Sequence, residues 1–142
     1  MTQISNVLAH KGNHVETVEP QEPLRAAVAR MTRCRIGSVV VVERGHPVGV
    51  ITERDVLVQL ASGREDPLLV EIREIMASEL VVVEPTTPIA DALALASAHR
   101  QRHLPVVDGD ELCGLVSLGD LTAWLVHDQE QTIRDLHDYI TH

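Results

Sequence analysis

The sequence predicts an α/β (α+β) fold made of two tandem β-α-β-β-α repeats followed by a C-terminal helix. Three observations carry that expectation. Shifting the chain by 65 positions lays residues 15–60 on residues 80–125 without a gap, and 12 of the 46 pairs are identical. The identities include residues with backbone roles, since Pro20 falls on Pro85, Pro23 on Pro88 and Gly49 on Gly114, and Asp55 falls on Asp120. Each copy also carries the same order of β-branched runs, helical stretches and turn residues. Self-similarity at a fixed spacing is the mark of a duplicated supersecondary unit.

Residues 15–18 and 80–83 are expected strands, closed by Glu19-Pro20 and Glu84-Pro85. Helices follow, with Pro23 and Pro88 at the first helical position, where the missing N–H costs nothing. Thr87 suits the N-cap of the second of these helices. Ser38 to Glu43 and Leu104 to Asp108 are rich in β-branched residues and read as strands. Turns at Arg44-Gly45-His46-Pro47 and Asp108-Gly109-Asp110 lead into strands over 48–51 and 113–116, and helices start at Thr52 and Ser117. Ile4 to Ala9 and Val70 to Met76 read as short helical lead-ins. From His127 to Ile140, the residues Ile133, Leu136 and Ile140 form one apolar helical stripe, suited to a neighbour or a second subunit. The expected organisation is a first repeat with its lead-in over 1–65, a second repeat over 66–126 and a helical tail over 127–142. A unit of about 45 residues buries too little surface to stand alone easily, so the copies are expected to pack sheet against sheet.

Composition narrows the function classes. The chain is 44% hydrophobic and 23% charged, with no Phe, one Trp and one Tyr, so its core is aliphatic. A net charge of −9 opposes nucleic-acid binding, which needs a basic face to displace counterions. The scarcity of aromatic residues removes stacking platforms for single strands. A few Arg side chains still suffice to hold one small phosphate ligand. Cys34 and Cys113 match no CxxC pattern and are expected to be reduced structural thiols. No run approaches the roughly 20 apolar residues that span a bilayer, and no basic-then-apolar leader opens the chain. A cytoplasmic protein is expected.

Within the duplication, Gly49-Val50-Ile51-Thr52-Glu53-Arg54-Asp55 and Gly114-Leu115-Val116-Ser117-Leu118-Gly119-Asp120 share a pattern. It resembles the Gly-h-h-Thr/Ser-x-x-Asp signature of CBS domains (cystathionine β-synthase-type domains), which occur as tandem pairs. The resemblance covers nearly the whole chain, including Arg102 to Asp108 and the tail, and the chain is similar to stand-alone bacterial CBS-pair proteins. It implies a regulatory pair with two clefts between the repeats, binding AMP, ADP, ATP, NAD(H) or S-adenosylmethionine. It further implies that Asp55 and Asp120 accept hydrogen bonds from ribose hydroxyls. Thr52 and Ser117 would then lie at the phosphate-ribose end, and adenine between aliphatic side chains. Homodimers formed through helices, and a regulated protein partner, are part of the same implication.

The residues themselves point the same way. Thr52 and Ser117 end a strand and open a helix, which presents N–H groups and a positive dipole end to an anion. The competing explanation is a capping box, in which the hydroxyl caps the helix and an acid three residues on reaches back. Such boxes favour Glu or Gln, whereas both copies have Asp, and a carboxylate accepts two hydrogen bonds from a diol. Arg54 faces Gly119 in the alignment, so the clefts are not equivalent. Arg54 either grips a phosphate or is a solvated helix residue. Arg100, Arg102 and His103 form the best local basic patch and a candidate phosphate clamp, or else simply complement a helix C-terminus. With Pro105 in the following strand, the ligand-binding set expected is Thr52, Arg54, Asp55, Arg102, His103, Pro105, Ser117 and Asp120.

Catalytic and metal motifs are missing. There is no Gx4GK[ST] loop and no GxGxxG, and Ser117 sits one residue away from a GxSxG elbow. His99 and His103 are four apart without an HExxH motif, so no metal is expected. Trp124 is expected to pack rather than to stack on a base. The two functional readings are a non-catalytic nucleotide sensor and a dimerisation or interaction scaffold whose clefts are vestigial.

Overall fold

The computed structural model describes residues 2–77 and 79–141. Met1, Ser78 and His142, which fall within the three segments expected from the sequence, lie outside the described residues. Among those residues the chain order is α1 (Ile4–Lys11), β1 (Thr17–Val18), α2 (Leu24–Cys34), β2 (Ser38–Glu43), β3 (His46–Thr52) and α3 (Glu53–Leu60). A 3-10 turn at Pro67–Leu69 precedes α4 (Ile72–Ile75), α5 (Ile89–His99), β4 (His103–Asp108), β5 (Glu111–Ser117) and α6 (Leu118–Thr141).

The duplication is visible in the hairpins. β2 pairs antiparallel with β3 and β4 with β5, in the same register, and both ladders slip at matching places, between Val41 and Val42 and between Val106 and Val107. Arg44 and Gly45 both have positive φ at the first turn, as a primed two-residue turn requires. β3 and β5 adjoin each other across the boundary between the copies.

The leading strands differ. β1 runs parallel to β2, giving a three-stranded sheet. The strand expected over 80–83 reduces to one parallel bridge, Val83 to Val106, beside a two-stranded sheet. Pro105 supplies the reason, because it stands where Val40 donates its N–H to the Glu16 carbonyl in the first copy, and a proline has no N–H to give the matching Val81. The Gln101 side-chain amide serves Val81 instead, accepting from its N–H at 3.0 Å and donating to its carbonyl at 2.8 Å, where the first copy has Ile36. The helix starts also move by a residue. Pro23 and Pro88 are the N-caps of α2 and α5, with extended ψ of 154° and 145°, rather than first helical residues. Thr87 is not a cap, and its hydroxyl accepts instead from the Glu84 N–H.

Each copy has its own core, built from matching positions. Leu24, Ala27, Met31, Val39, Val41 and Ile51 cluster in the first, and Ile89, Ala92, Ala96, Leu104, Val106 and Val116 in the second. The lead-ins, however, are exchanged. Ile4 and Val7 of α1 belong to the core of the second copy, while Val70 and Ile72 complete the first. The backbone repeats that exchange, since Ile4 N–H and Ser5 N–H donate to Thr87 and Pro85, as Ile72 and Arg73 donate to Glu22 and Pro20. The lead-in that the sequence groups with the first copy therefore packs on the second.

α6 runs without a break from the second signature through the tail, so the expected boundary at 127 is not a break in structure. Its outer half leaves Ile133, Leu136, Tyr139 and Ile140 exposed. Cys34 and Cys113 are free thiols, and Cys113 and Trp124 pack against the second core. No helix of the described residues is long and apolar enough to cross a membrane.

Full burial of an isoleucine is worth about 1.5–3 kcal/mol, and a cavity left in its place adds to the loss. Ile4→Ala should therefore destabilise the chain by about 2–5 kcal/mol, as Ile72→Ala should, in urea unfolding. A change below about 0.5 kcal/mol for Ile4→Ala would mean that α1 does not seal the second core.

Candidate functional site

The site begins at the strand-to-helix junctions. Gly49 and Gly114 are where the exchanged lead-ins press on the sheets. A Cβ would lie 2.8 Å from Met76 Sδ at Gly49 and 2.7 Å from Leu8 Cδ2 at Gly114. Three residues later each strand ends in a capping box, closed in both copies. Thr52 N–H donates to Asp55 Oδ2 at 2.8 Å and Asp55 N–H to Thr52 Oγ1 at 3.3 Å. Ser117 N–H donates to Asp120 Oδ2 at 2.8 Å and Asp120 N–H to Ser117 Oγ at 3.0 Å. The expectation that Asp is too short for this role is corrected. An extended N-cap brings the carboxylate back within reach of its own strand end.

The box does not exhaust the first carboxylate. Its bonds all fall on Oδ2, which also accepts from the Thr52 hydroxyl at 3.0 Å, and Oδ1 of Asp55 has no protein partner among the described residues. The box holds that free oxygen in a fixed direction. The helix N-terminus itself offers less to an anion than expected, because Glu53 N–H is already bonded to the Gly37 carbonyl. An anion at that junction would depend mainly on side chains.

A cleft of about 690 Å³ opens at this junction. Thr52, Arg54 and Asp55 line it from the first copy, and Arg100, Arg102 and His103 from the second. Five of the eight residues singled out in the sequence thus meet in one place, and Arg100 joins them. Arg100 ends α5 in the left-handed region at φ 52°, which turns the chain sharply into β4. Glu53 and Glu79 also border the cleft, so its three guanidinium groups face three carboxylates. Glu53 finds room because Gly37 has no side chain, a Cβ there being 2.9 Å from Glu53 Oε1.

The other three expected residues lie elsewhere. Pro105 is buried in β4, where its carbonyl accepts from the Val83 N–H. Ser117 and Asp120 do not line the cleft, nor a second cavity between α2 and α3. Asp120 is held by Lys11, whose Nζ lies 2.6 Å from Oδ2 and 2.8 Å from the Leu115 carbonyl oxygen. Sequence reasoning passed over Lys11. Its signal was that it is the chain's sole lysine and stands at the three-residue excess of the first lead-in connection over the second.

The electrostatics centre on His103, which pairs across the hairpin with Ser117 while lining the first cleft. Burial pushes its pKa below the ordinary 6.5, and Lys11 and Arg102 add to that, against opposing pulls from Asp120 and Asp55. For Asp120 burial acts to raise the pKa. The hydrogen bonds from Lys11 and Ser117 outweigh it and hold the carboxyl below the ordinary 3.8. Among the described residues no three His, Cys, Asp or Glu side chains gather as a metal site. His99 closes α5 while His103 opens β4.

Comparison with known proteins gives the same picture. The family model described as CBS domain matches residues 8–62 and again 72–127. The CBS domain-containing protein YhcV of Bacillus subtilis is 35% identical over 119 residues, 83% of this chain and 84% of that protein. A CBS-domain protein of known structure from Burkholderia ambifaria superposes with a TM-score of 0.81 at 33% identity, covering 90% of this chain and 96% of the other. The CBS domain protein PAE2072 of Pyrobaculum aerophilum, solved in complex with AMP, superposes with a TM-score of 0.73 at 27% identity, covering 84% and 89%.

The shifts at His103 and Asp120 act on stability in separate pH windows. A histidine whose pKa is lowered by folding costs stability as pH falls through its unfolded value of 6.5. A carboxyl lowered by folding contributes stability above its unfolded value of 3.8, and that contribution is lost as pH falls through the folded value. Chemical unfolding followed from pH 8 to about pH 3 should lose stability in two steps. His103→Gln should flatten the upper step and Asp120→Asn the lower.

Proposed function

The chain belongs to the CBS-domain family, as a tandem pair, and from that premise we propose that it is a non-catalytic sensor of adenosine nucleotides. The observation that carries the reading is the cleft in which Asp55, with one free carboxylate oxygen, faces Arg100, Arg102 and His103 of the other copy. A fixed carboxylate oxygen suits the vicinal hydroxyls of a ribose. Guanidinium groups suit a phosphate, which they hold by charge-assisted bonds. The cleft volume of about 690 Å³ falls in the range of small-molecule sites. AMP is the ligand of first choice, since PAE2072 was solved with it. ADP, ATP, NAD(H) and S-adenosylmethionine share the adenosine part. Among the described residues, no nucleophile, base and oxyanion donors converge in the cleft to support chemistry on the bound molecule.

Ligand in the cleft bridges the two copies, so it favours whichever relative orientation it fits best. The shift it can drive is limited by its differential affinity for the two arrangements. The reading places the protein in the cytoplasm, as a homodimer whose geometry a partner protein senses. A second reading, an interaction scaffold with vestigial clefts, draws on the exposed stripe of Ile133, Leu136, Tyr139 and Ile140. The two differ in whether the cleft matters to the output.

Isothermal titration with AMP, ATP, NADH and S-adenosylmethionine tests the sensor. A Kd between micromolar and millimolar is expected, about −8 to −4 kcal/mol. Asp55→Ala should weaken AMP by about tenfold or more, the worth of hydrogen bonds to a charged acceptor. Arg102→Ala should weaken AMP while leaving adenosine nearly unchanged. Folded protein that gives no heat with any of the four would discard the reading. For the scaffold, Ile133→Glu with Ile140→Glu should halve the mass seen by light scattering, and an unchanged mass would remove the tail from the dimer contact.

A further inference from the structure

The two signatures are chemically alike and differently occupied. In the cores every matching pair of residues is 65 apart, as in Val39 and Leu104 or Ile51 and Val116. The exchanged lead-ins match at 68 instead, with Ile4 on Ile72 and Leu8 on Met76, each pressing on the glycine of the signature it covers. The first connection is therefore three residues longer, and Lys11-Gly12-Asn13 lie within it. Gly12, at φ 102° with its N–H on the Leu8 carbonyl, ends α1 immediately after Lys11. The insertion leaves Lys11 in the last turn of a helix anchored on the second copy, with its ammonium on Asp120 and the Leu115 carbonyl.

Around Asp55 the neighbouring positions carry Arg54, Arg102 and His103. The matching positions of the other copy are Gly119, Gly37 and Ser38. The second signature thus keeps only Arg35, the counterpart of Arg100, among the phosphate-holding groups of the first, and its carboxylate already has a cation. Asp55 has no such guest, its bonds coming from Thr52 alone among the described residues.

We propose that Lys11 is an internal lock on the second signature. Its ammonium sits on the capped Oδ2 of Asp120, beside the Oδ1 that a sugar's hydroxyls would take, so nucleotide binds first in the first cleft. The inference rests on the nucleotide reading for its consequence, and on the Lys11 to Asp120 pair for its mechanism. The pair is partly exposed, with about a third of each side chain open to solvent. A lock of that kind weakens a competitor by up to about fivefold rather than abolishing it.

Two measurements keep mechanism and consequence apart. In titrations, the unmodified chain should bind AMP at one site of higher affinity. Lys11→Met should keep that site and tighten a second, weaker one by up to about fivefold, seen with adenosine because the second signature keeps only Arg35 of the phosphate-holding groups, and Asp120→Asn added to Lys11→Met should weaken it again. A second site equally tight in the unmodified chain and in Lys11→Met would overturn the lock. So would a second site that Lys11→Met destroys, since Lys11 would then be a ligand anchor. Without any ligand, the acylation of this single lysine, located by peptide mass, should be about fivefold slower in the parent than in Asp120→Asn. Equal rates would overturn the lock whatever the nucleotide results. Protection of Lys11 together with no binding of AMP or adenosine by any variant would discard the sensor reading and leave the lock standing.

Discussion

Neither copy closes its own core. A unit of about 45 residues with two helices leaves part of its sheet uncovered, and each copy is sealed by a lead-in that is not its own by sequence order. Ile4 and Ile72, both fully buried, are the pegs of that exchange. Separating the copies would therefore strip two cores at once, exposing α1 and α4 along with the residues they cover. The consequence for the site is direct. Thr52 and Asp55 come from one copy and Arg100, Arg102 and His103 from the other. Their mutual placement is only as rigid as the packing that joins the copies. The same exchange carries Lys11 across to Asp120.

The duplication made most of this legible in advance. Residues that serve one backbone purpose recur in register, so Pro, Gly and aliphatic positions of one copy validate those of the other. The hairpins and both signature helices followed from that comparison, whereas the lead-ins lie outside the aligned stretches. What escaped it depends on contacts between segments far apart in the chain. Nothing local to Ile4 says which core it enters, because an apolar face fits either sheet. Gln101 replaces a strand with its own amide, a role open to any residue with paired donor and acceptor at that place. The Asp capping boxes were underestimated because the usual preference for Glu assumes a different approach of the chain to its first turn. Five expected ligand residues do meet in one cleft. Ser117 and Asp120 lie apart from it because they stand at the β5–α6 junction of the other copy, where Lys11, more than a hundred positions away, meets Asp120.

Capping, which the structure shows, and binding, which is proposed, are compatible at one carboxylate. A carboxylate bonded through one oxygen to its own strand end cannot rotate freely, so its other oxygen is presented in one direction. The entropy of ordering that side chain is met by folding and not by the ligand, which is the general benefit of preorganisation. The same arrangement is repeated at Asp120, where the ordered carboxylate meets a lysine. One geometry thus supports two outcomes, and the difference lies in three inserted residues and the substitutions around them. His103 sits between the two, feeling Asp120 and Asp55 at once, so a change of charge at either signature reaches it.

The length of α6 decides how far such a change travels. The second signature is the root of a helix of 24 residues that continues past the last buried side chain, Leu121. An unbroken ladder of i to i−4 hydrogen bonds resists bending, so motion at the root is carried to the tip rather than absorbed along the way. With a length of about 36 Å, a tilt of about 5° at Asp120 displaces the far end by about 3 Å. The far end is where Ile133, Leu136, Tyr139 and Ile140 stand exposed. A helix pair in contact there would register a shift of that size, because ridges and grooves interlock at discrete offsets rather than sliding smoothly. In the proposed sensor, the packing that joins the copies, the carboxylate at the root of α6 and the apolar stripe at its end would form one mechanical path.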